Sequence, residues 1–381
     1  MILSKVSAER LSRLQEQMAR AGLVLSGAEV VDVVAIAPTA NMRYLLGFAP
    51  LADERPCVLL VSRDNTRLVV PELNADQVEA HTSMTPIRWP DAAGPHRAFT
   101  DALSVLGIKG LVGTPSPIVL AADDAMRADA LLLLQEIIGP RKTMAAGELM
   151  AALRMRKSEA ELEVMARAAA VADAALMAGA DVCRPGVTER EVAEKIASSF
   201  RSQGADQVDF TIVGSGPNGA FPHHEFSDRR LEVGDMVIID IGATLDGYHS
   251  DVTRVVHLGE PSAEERAVFE VVLEANRRGR EAAVAGARAR DVDRAARKVV
   301  VEAGYGPQFI HRTGHGMGLE VHEPPWITSE SDTVLEPGMV FSVEPGIYLP
   351  DKFGVRIEDI VVVTAGESRC LTGLDRRMII R

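Results

Sequence analysis

LEVGDMVIIDIG, residues Leu231–Gly242, lies over LEPGMVFSVEPG, residues Leu335–Gly346, without a gap. A leucine, a glutamate and two glycines coincide, and Asp240 of the first copy meets Glu344 of the second. Each acid closes a run too apolar to be exposed, which reads as a buried strand. Upstream of the first copy, Ser158 with Glu161 and Thr188 with Glu191 form capping boxes that open two helices. Upstream of the second, Ser262 with Glu265 opens one helix, and Gly304 closes another that begins near Asp291. Two helices followed by apolar strands, occurring twice, indicate an α+β domain with an internal pseudo-twofold duplication. Each half then delivers an acid to one shared place.

Outward from the repeat, the pattern changes. Residues 1–150 alternate strand-like runs (VVDVVAIAP, CVLLVSRDNTRLVV, KGLVGTP) with helix-like ones such as AADDAMRADALLLLQEIIG, an α/β domain, leaving 151–381 to the duplicated one. Two domains suit a chain of 381 residues, and 47% hydrophobic and 25% charged residues are ordinary for a globular protein. No apolar run reaches the ~18 residues needed to span a membrane, so no membrane partner is expected. MILSKVSAERLSRLQEQMARAGL reads as an amphipathic first helix and lacks the features of a secretory signal. Cys57, Cys183 and Cys370 are far apart in no CxxC arrangement, which indicates neither a disulfide framework nor a thiolate zinc site and fits a cytoplasmic protein. A net charge of −13 without a Lys/Arg run argues against nucleic acid and leaves cations as candidate partners.

VIIDIGATLDGYHSDVTRVV, residues 237–256, reads as a hairpin turning around Leu245 and Asp246, with Gly247 giving the turn its freedom. That register sets Asp240 opposite Asp251. Directly opposed like charges are destabilising unless a cation or proton intervenes, and a metal would convert the repulsion into ligation. In GVRIEDIVVV, Arg356 and Glu358 stand two residues apart, on one face of a strand, and near Glu344 if the halves are equivalent. A lone strand acid is ordinarily a solvated side chain. Four converging carboxylates are another matter, because a buried ion without a partner carries a large desolvation penalty. Arg254, Arg312 and Arg356 account for some of these acids by ion pairing, and metal binding accounts for the rest.

IHRTGHGMGLEVHE, residues 310–323, gathers His311, His315 and His322 among glycines. His315, with glycine on both sides, is the best imidazole ligand, since glycine lets the backbone approach a metal closely. A helical HxxxH pair is disfavoured by Gly314 and Gly316, and GHGMG is not a dinucleotide fingerprint. His311 and His322 read equally as packed core histidines. PHHEFSD places His223 and His224 in a loop where a proton donor or substrate contact can sit. His81, His96, His249 and His257 read as structural or solvent-facing.

The ordered set Asp240 and Asp251 in DIGATLDGYHSD, His315 in GHGMGLEVHE, Glu344 in SVEPG and Glu358 in RIED resembles the dinuclear site of the creatinase/methionine aminopeptidase "pita-bread" metallopeptidases. FIHRTGHGMGLEVHE with GVRIED, and the separate N-terminal domain, are more similar to the Xaa-Pro peptidases, prolidase and aminopeptidase P. The resemblance implies a creatinase-like domain at 1–150 and a pita-bread catalytic domain at 151–381. It also implies two divalent ions per chain, with Asp240 on one, His315 and Glu344 on the other, and Asp251 and Glu358 bridging. Oxygen-rich ligation favours Mn²⁺, with Co²⁺, Fe²⁺ or Zn²⁺ as substitutes.

By the same resemblance Glu344 is the proton acceptor and shuttle, and His223 and His322 contact the substrate and its tetrahedral intermediate. His311 and Arg356 fall at further substrate-binding positions. The implied reaction is hydrolysis of Xaa-Pro bonds, whose tertiary amide has no N–H and a fixed ring. The compact length is similar to microbial prolidases and favours dipeptides, with Xaa-Pro aminopeptidase activity on longer peptides as the alternative. A relative acting on a non-peptide small molecule, or one that only binds, often lacks ligands that are all present here. The family pattern further implies a homodimer in which the N-terminal domain of one subunit lies near its partner's active site.

Overall fold

The computed structural model describes residues 2–24, 30–82, 84–108 and 117–381, so the strand-like reading of KGLVGTP lies outside the described residues. Two compact units are present, Met1–Arg154 and Met155–Arg381.

In the first unit the apolar runs form β1 (Val33–Ile36), β2 (Val58–Ser62), β3 (Thr66–Pro71), β4 (Ile87–Trp89), β5 (Val119–Ala122) and β6 (Lys142–Ala145). They make one mixed sheet in the order β4-β3-β2-β1-β5-β6, with β1 antiparallel to β2 and parallel to β5. Among the described residues six helices accompany it: α1 (Ile2–Val24), α2 (Ala40–Leu46), α3 (Glu72–His81), α4 (His96–Val105), α5 (Ala128–Ile138) and α6 (Gly147–Arg154). The run AADDAMRADALLLLQEIIG is divided, its first two residues ending β5 and its helix starting only at Ala128. Helix α6 runs across residue 150, so the units meet after Arg154.

The second unit opens with α7 (Glu159–Ala180) and α8 (Glu189–Ser202), each started by its capping box, at Ser158 and Thr188. These lead to β7 (Gln207–Ser215), β8 (Met236–Leu245), β9 (Tyr248–His249) and β10 (Val252–His257). A second helix pair follows, α9 (Ala263–Ala282), boxed at Ser262, and α10 (Ala289–Glu302). It leads to β11 (Gly314–Gly316), β12 (Glu323–Ile327), β13 (Val340–Val343), β14 (Gly346–Leu349), β15 (Phe353–Arg356), β16 (Asp359–Val362), β17 (Arg369–Cys370) and β18 (Ile379–Ile380). The two sheets run β18-β10-β8-β7 and β12-β11-β13-β16-β17, so β7-β8-β10 of one half corresponds to β11-β13-β16 of the other. β14 and β15 form a separate hairpin.

The duplication extends to single hydrogen bonds. Gly186 N–H donates to the Leu231 carbonyl and Leu231 N–H to that of Val187, while Gly286 donates to Leu335 and Leu335 to Ala287. Gly179 of α7 and Gly279 of α9 occupy matching places but approach different elements: an added Cβ would lie 2.5 Å from Ile196 of α8 in one case and 2.7 Å from Val343 of β13 in the other. Apolar helix faces close over each sheet, with Leu176, Ile196 and Phe200 against Val213 and Ile239 in the first half. In the second, Ala289 and Val292 pack with Phe341, Val343 and Val361.

One expectation needs correction. The β8–β10 register pairs Asp240 with Thr253, and Leu245 with Tyr248, so the turn is Asp246–Gly247 and not Leu245–Asp246. Gly247, and Asp246 at φ 50°, adopt the left-handed conformation that such a turn requires. Asp251 therefore lies two residues diagonally from Asp240 on the same sheet face.

Candidate metal centre

Five acidic or imidazole side chains converge from both halves: Asp240 on β8, Asp251 ahead of β10, His315 on β11, Glu344 after β13 and Glu358 between β15 and β16. All five line one cavity of ≈ 920 Å³, whose wall includes Phe210, Ile212, Phe226 and Val321. Asp240, Asp251, His315 and Glu358 are buried. Asp251, His315 and Glu358 each bring one ligand atom within 4.8 Å of the others. His315 Nε2 stands 3.2 Å from Glu344 Oε1 and 3.7 Å from Asp251 Oδ2. Its Nδ1–H donates to the Gly316 carbonyl at 3.1 Å, which turns Nε2 towards the acids.

The donor set fits a metal on its own chemistry. Asp240 Oδ1, Asp251 Oδ1 and Glu358 Oε1 are buried without any hydrogen-bond partner, an expensive arrangement for three carboxylates unless a cation completes it. Burial first, then repulsion from Glu358, Asp240 and Glu344, pushes the Asp251 carboxyl well above the ordinary range. Glu358 moves the same way, through burial and then the charges of Glu344 and Asp240. Burial would raise Glu344 too, yet the hydrogen bond and charge of His315 hold it at about 2.

Around this cluster the second oxygens are anchored. Thr253 Oγ1 donates to Glu358 Oε2 at 2.8 Å, and Ser342 Oγ donates to Glu344 Oε1 at 3.0 Å. Arg356 donates through Nη2 to Asp240 Oδ2 at 2.5 Å and through Nη1 to the Tyr348 hydroxyl at 2.7 Å. Tyr348 in turn donates to His311 Nε2 at 2.9 Å, and His311 Nδ1–H to the Arg312 carbonyl at 2.7 Å. Arg356 and His311, the expected substrate contacts, both line the cavity, and their polar atoms also meet Asp240, Tyr348 and the backbone.

His223 and His322 also line the cavity, His223 on an exposed loop and His322 edge-on to His315 with ring centroids 4.2 Å apart. His322 is open to solvent on one side, yet the sheltered part of its ring, then the charges of His315 and Arg312, lower it to about 4, so the ring is neutral at physiological pH. His224 is not a cavity residue. Its Nε2 meets the buried Glu189 at 2.9 Å, where Ser215, Asn218 and Ser227 also donate. Burial would raise Glu189, but the hydroxyls of Ser215 and Ser227 and the His224 ring hold it at about 2. In the second half the buried Asp293 accepts from Thr313 Oγ1 at 2.7 Å and from Arg297 at 2.9 Å, and Arg297 also donates to the His311 carbonyl.

Sequence reasoning missed Thr253, Ser342, Tyr348, Glu189 and Asp293. For Tyr348 a signal existed: Gly346 pairs with Arg356 and Tyr348 with Gly354, so two glycines clear the hairpin face along which the ring reaches Arg356.

A duplicated pita-bread domain with a buried carboxylate–histidine cluster between its halves defines a metal-dependent hydrolase. The chain matches metallopeptidase family M24 over residues 163–365 and the creatinase/prolidase N-terminal domain over residues 10–156, and it is a member of that family, a peptidase. It is 38% identical over 352 residues to the probable dipeptidase PepE of Mycobacterium tuberculosis, covering 90% of this chain and 91% of that one. To the Xaa-Pro dipeptidase of Pyrococcus furiosus it is 35% identical over 350 residues, 92% and 95% of the two chains. The crystal structure of dipeptidase PepE from Mycobacterium ulcerans superposes with a TM-score of 0.90 at 35% identity, covering 99% of this chain and 98% of that one.

Proposed function

We propose that the protein is an Xaa-Pro dipeptidase using two divalent ions, Mn²⁺ by preference, held by Asp240, Asp251, His315, Glu344 and Glu358. The observation that carries this reading is the set of three buried carboxylate oxygens, on Asp240, Asp251 and Glu358, that meet no donor within the protein. Asp240 would hold one ion, His315 and Glu344 the other, with Asp251 and Glu358 shared. Four carboxylates balance two divalent charges. When bound, the metals supply Lewis acidity that activates water and polarises the scissile carbonyl.

The protein's own groups do the rest. Glu344, anionic and tethered at one oxygen by Ser342, takes the proton of the attacking water and passes it to the departing proline nitrogen. His322, neutral at physiological pH, and His223, free on its loop, donate to the substrate as charge develops on the carbonyl oxygen. Arg356 and His311 act behind them, keeping Asp240 and Tyr348 in place. Phe210, Ile212, Phe226 and Val321 offer an apolar wall to the pyrrolidine ring. The similarity to an Xaa-Pro dipeptidase supports this substrate class. A cytoplasmic homodimer with the N-terminal domain near the partner's site completes the reading, and light scattering tests the dimer.

The decisive assay compares an Xaa-Pro dipeptide with an Xaa-Pro-Xaa-Xaa tetrapeptide at saturating Mn²⁺, alongside elemental analysis. Preferential cleavage of the dipeptide with two metals per chain is the expected result. Equal or faster cleavage of the tetrapeptide would make the protein an Xaa-Pro aminopeptidase, and cleavage of neither would overturn the reading.

A further inference from the structure

His322 lines the cavity edge-on to His315, yet among the described residues its ring makes no hydrogen bond of its own. A ring without a polar partner is aimed by its backbone, here residues 317–322, which join β11 to β12. Downstream the stretch is pinned by Glu323, which meets Lys157 Nζ at 2.8 Å with both side chains almost wholly buried. Upstream it is pinned from the other half of the unit. His249 on β9 donates its backbone N–H to the Gly318 carbonyl at 2.9 Å, and its ring Nε2 meets the Leu319 carbonyl at 3.2 Å. The far side of that ring is seated in turn. Its Nδ1 meets Asp209 Oδ2 at 2.7 Å, and Thr244 Oγ1 donates to the same carboxylate at 2.8 Å.

Between the two pins lie Glu320, Val321 and His322, and the last two line the cavity. A span so short follows its ends. A shift of Leu319 is carried to the His322 ring, where a misplacement of about 1 Å is enough to cost up to about 10²-fold in rate. Asp209 and Thr244 lock the plane of the His249 imidazole, so its Nε2 edge reaches Leu319 at one fixed angle. His249 is not part of the cavity wall, and it acts on the site through the stretch it holds. The Lys157–Glu323 pin is the poorer probe, because opening a buried ion pair strands a charge and costs the fold itself.

We propose that His249, seated by Asp209 and Thr244, is a positioning residue that aims His322 at the reacting carbonyl by holding Leu319. This rests on the Xaa-Pro peptidase reading and the part given there to His322, and the experiment separates the two. The Mn²⁺-loaded parent, His249→Gln, His249→Asn, His322→Ala and His249→Asn combined with His322→Ala are assayed on an Xaa-Pro dipeptide, with elemental analysis and thermal melting of each. A glutamine amide nitrogen reaches the place of Nε2 and keeps the bond to Leu319, whereas that of asparagine reaches the place of Nδ1 and keeps only the bond to Asp209. His249→Asn is expected to hold metal at the parent level and to lose about tenfold in kcat with KM within about twofold, because the contact it disturbs is made in the transition state. His249→Gln should stay within about threefold of the parent. Added to His322→Ala, His249→Asn should cost less than about twofold, because the ring it aims is gone. Full activity of His249→Asn or of His322→Ala, equal losses from His249→Asn and His249→Gln, loss of metal from His249→Asn, or a further loss of about tenfold in the combined variant would overturn the assignment and leave the peptidase reading intact. No cleavage by the parent would overturn both.

Discussion

The halves of the catalytic unit share a backbone plan and differ in how they hold their histidine-bearing segments. In the first, Glu189 at the start of α8 gathers hydroxyls, an amide and the His224 ring, and the loop so anchored presents His223 to the cavity. In the second, Asp293 on α10 is locked by Arg297, whose other donors grip the carbonyls of Phe309 and His311. Matching backbone hydrogen bonds with unmatched side-chain networks teach that backbone pairing sets the frame, while the chemistry inside each frame is free to specialise. One half offers an exposed histidine and two aspartates, the other a buried imidazole and two glutamates.

The largest expected effect tests whether the metal centre belongs to both halves. Asp251→Asn and Glu358→Gln, one change from each, should both abolish turnover and lower bound metal below two ions per chain, read by elemental analysis and Xaa-Pro dipeptide hydrolysis. In metal-stripped protein the same changes should raise the melting temperature, because each removes a buried carboxyl that on folding must either face its acidic neighbours as an anion or take up a proton. A variant retaining full activity would assign the centre to the opposite half alone.

A smaller effect separates catalysis from ligation. His223→Ala and His322→Ala are expected to keep their metal and lose about 10²-fold in kcat. Metal loss in either variant would move that histidine into the ligand set and break the division of labour between the halves.

The smallest effect concerns the two anchors. Glu189 has its carboxyl depressed to about 2 from 4.5, so its contribution is complete above the ordinary value and is lost as pH falls towards 2. Glu189→Gln should therefore lower stability by about 3 kcal/mol at pH 7, with the gap to the parent narrowing below about pH 4.5 in urea unfolding. Asp293→Asn should cost about 1–3 kcal/mol through hydrogen bonds that Arg297 and Thr313 can no longer make in full. A Glu189→Gln deficit that stays constant from pH 7 down to pH 3 would contradict the charge-based role of this anchor.

Much of this was legible along the chain. The helix starts at Ser158, Thr188 and Ser262 are local, because a capping box joins residues three apart, and all three form as written. The repeat of Leu231–Gly242 in Leu335–Gly346 marked the two halves, and the acids it carries line one cavity. The hairpin register was off because Leu245–Asp246 and Asp246–Gly247 are adjacent choices, and only the second seats Gly247 at a positive φ. The anchors were hidden for a different reason. Glu189 meets partners 26 to 38 residues away, and nothing in the alternation of its own helix distinguishes it from a solvated first-turn acid.

The hydrogen-bonded line from Arg356 through Tyr348 to His311 ends on the carbonyl of Arg312, a group with no proton to release. Burial, set against the Arg356 charge, pushes the Tyr348 hydroxyl up to about 12, so the middle of the line keeps its own proton as well. In electrical terms it is an insulated lead. It fixes the potential at Asp240 and carries no current, because the hydroxyl in its middle holds its proton and its far end has none to give.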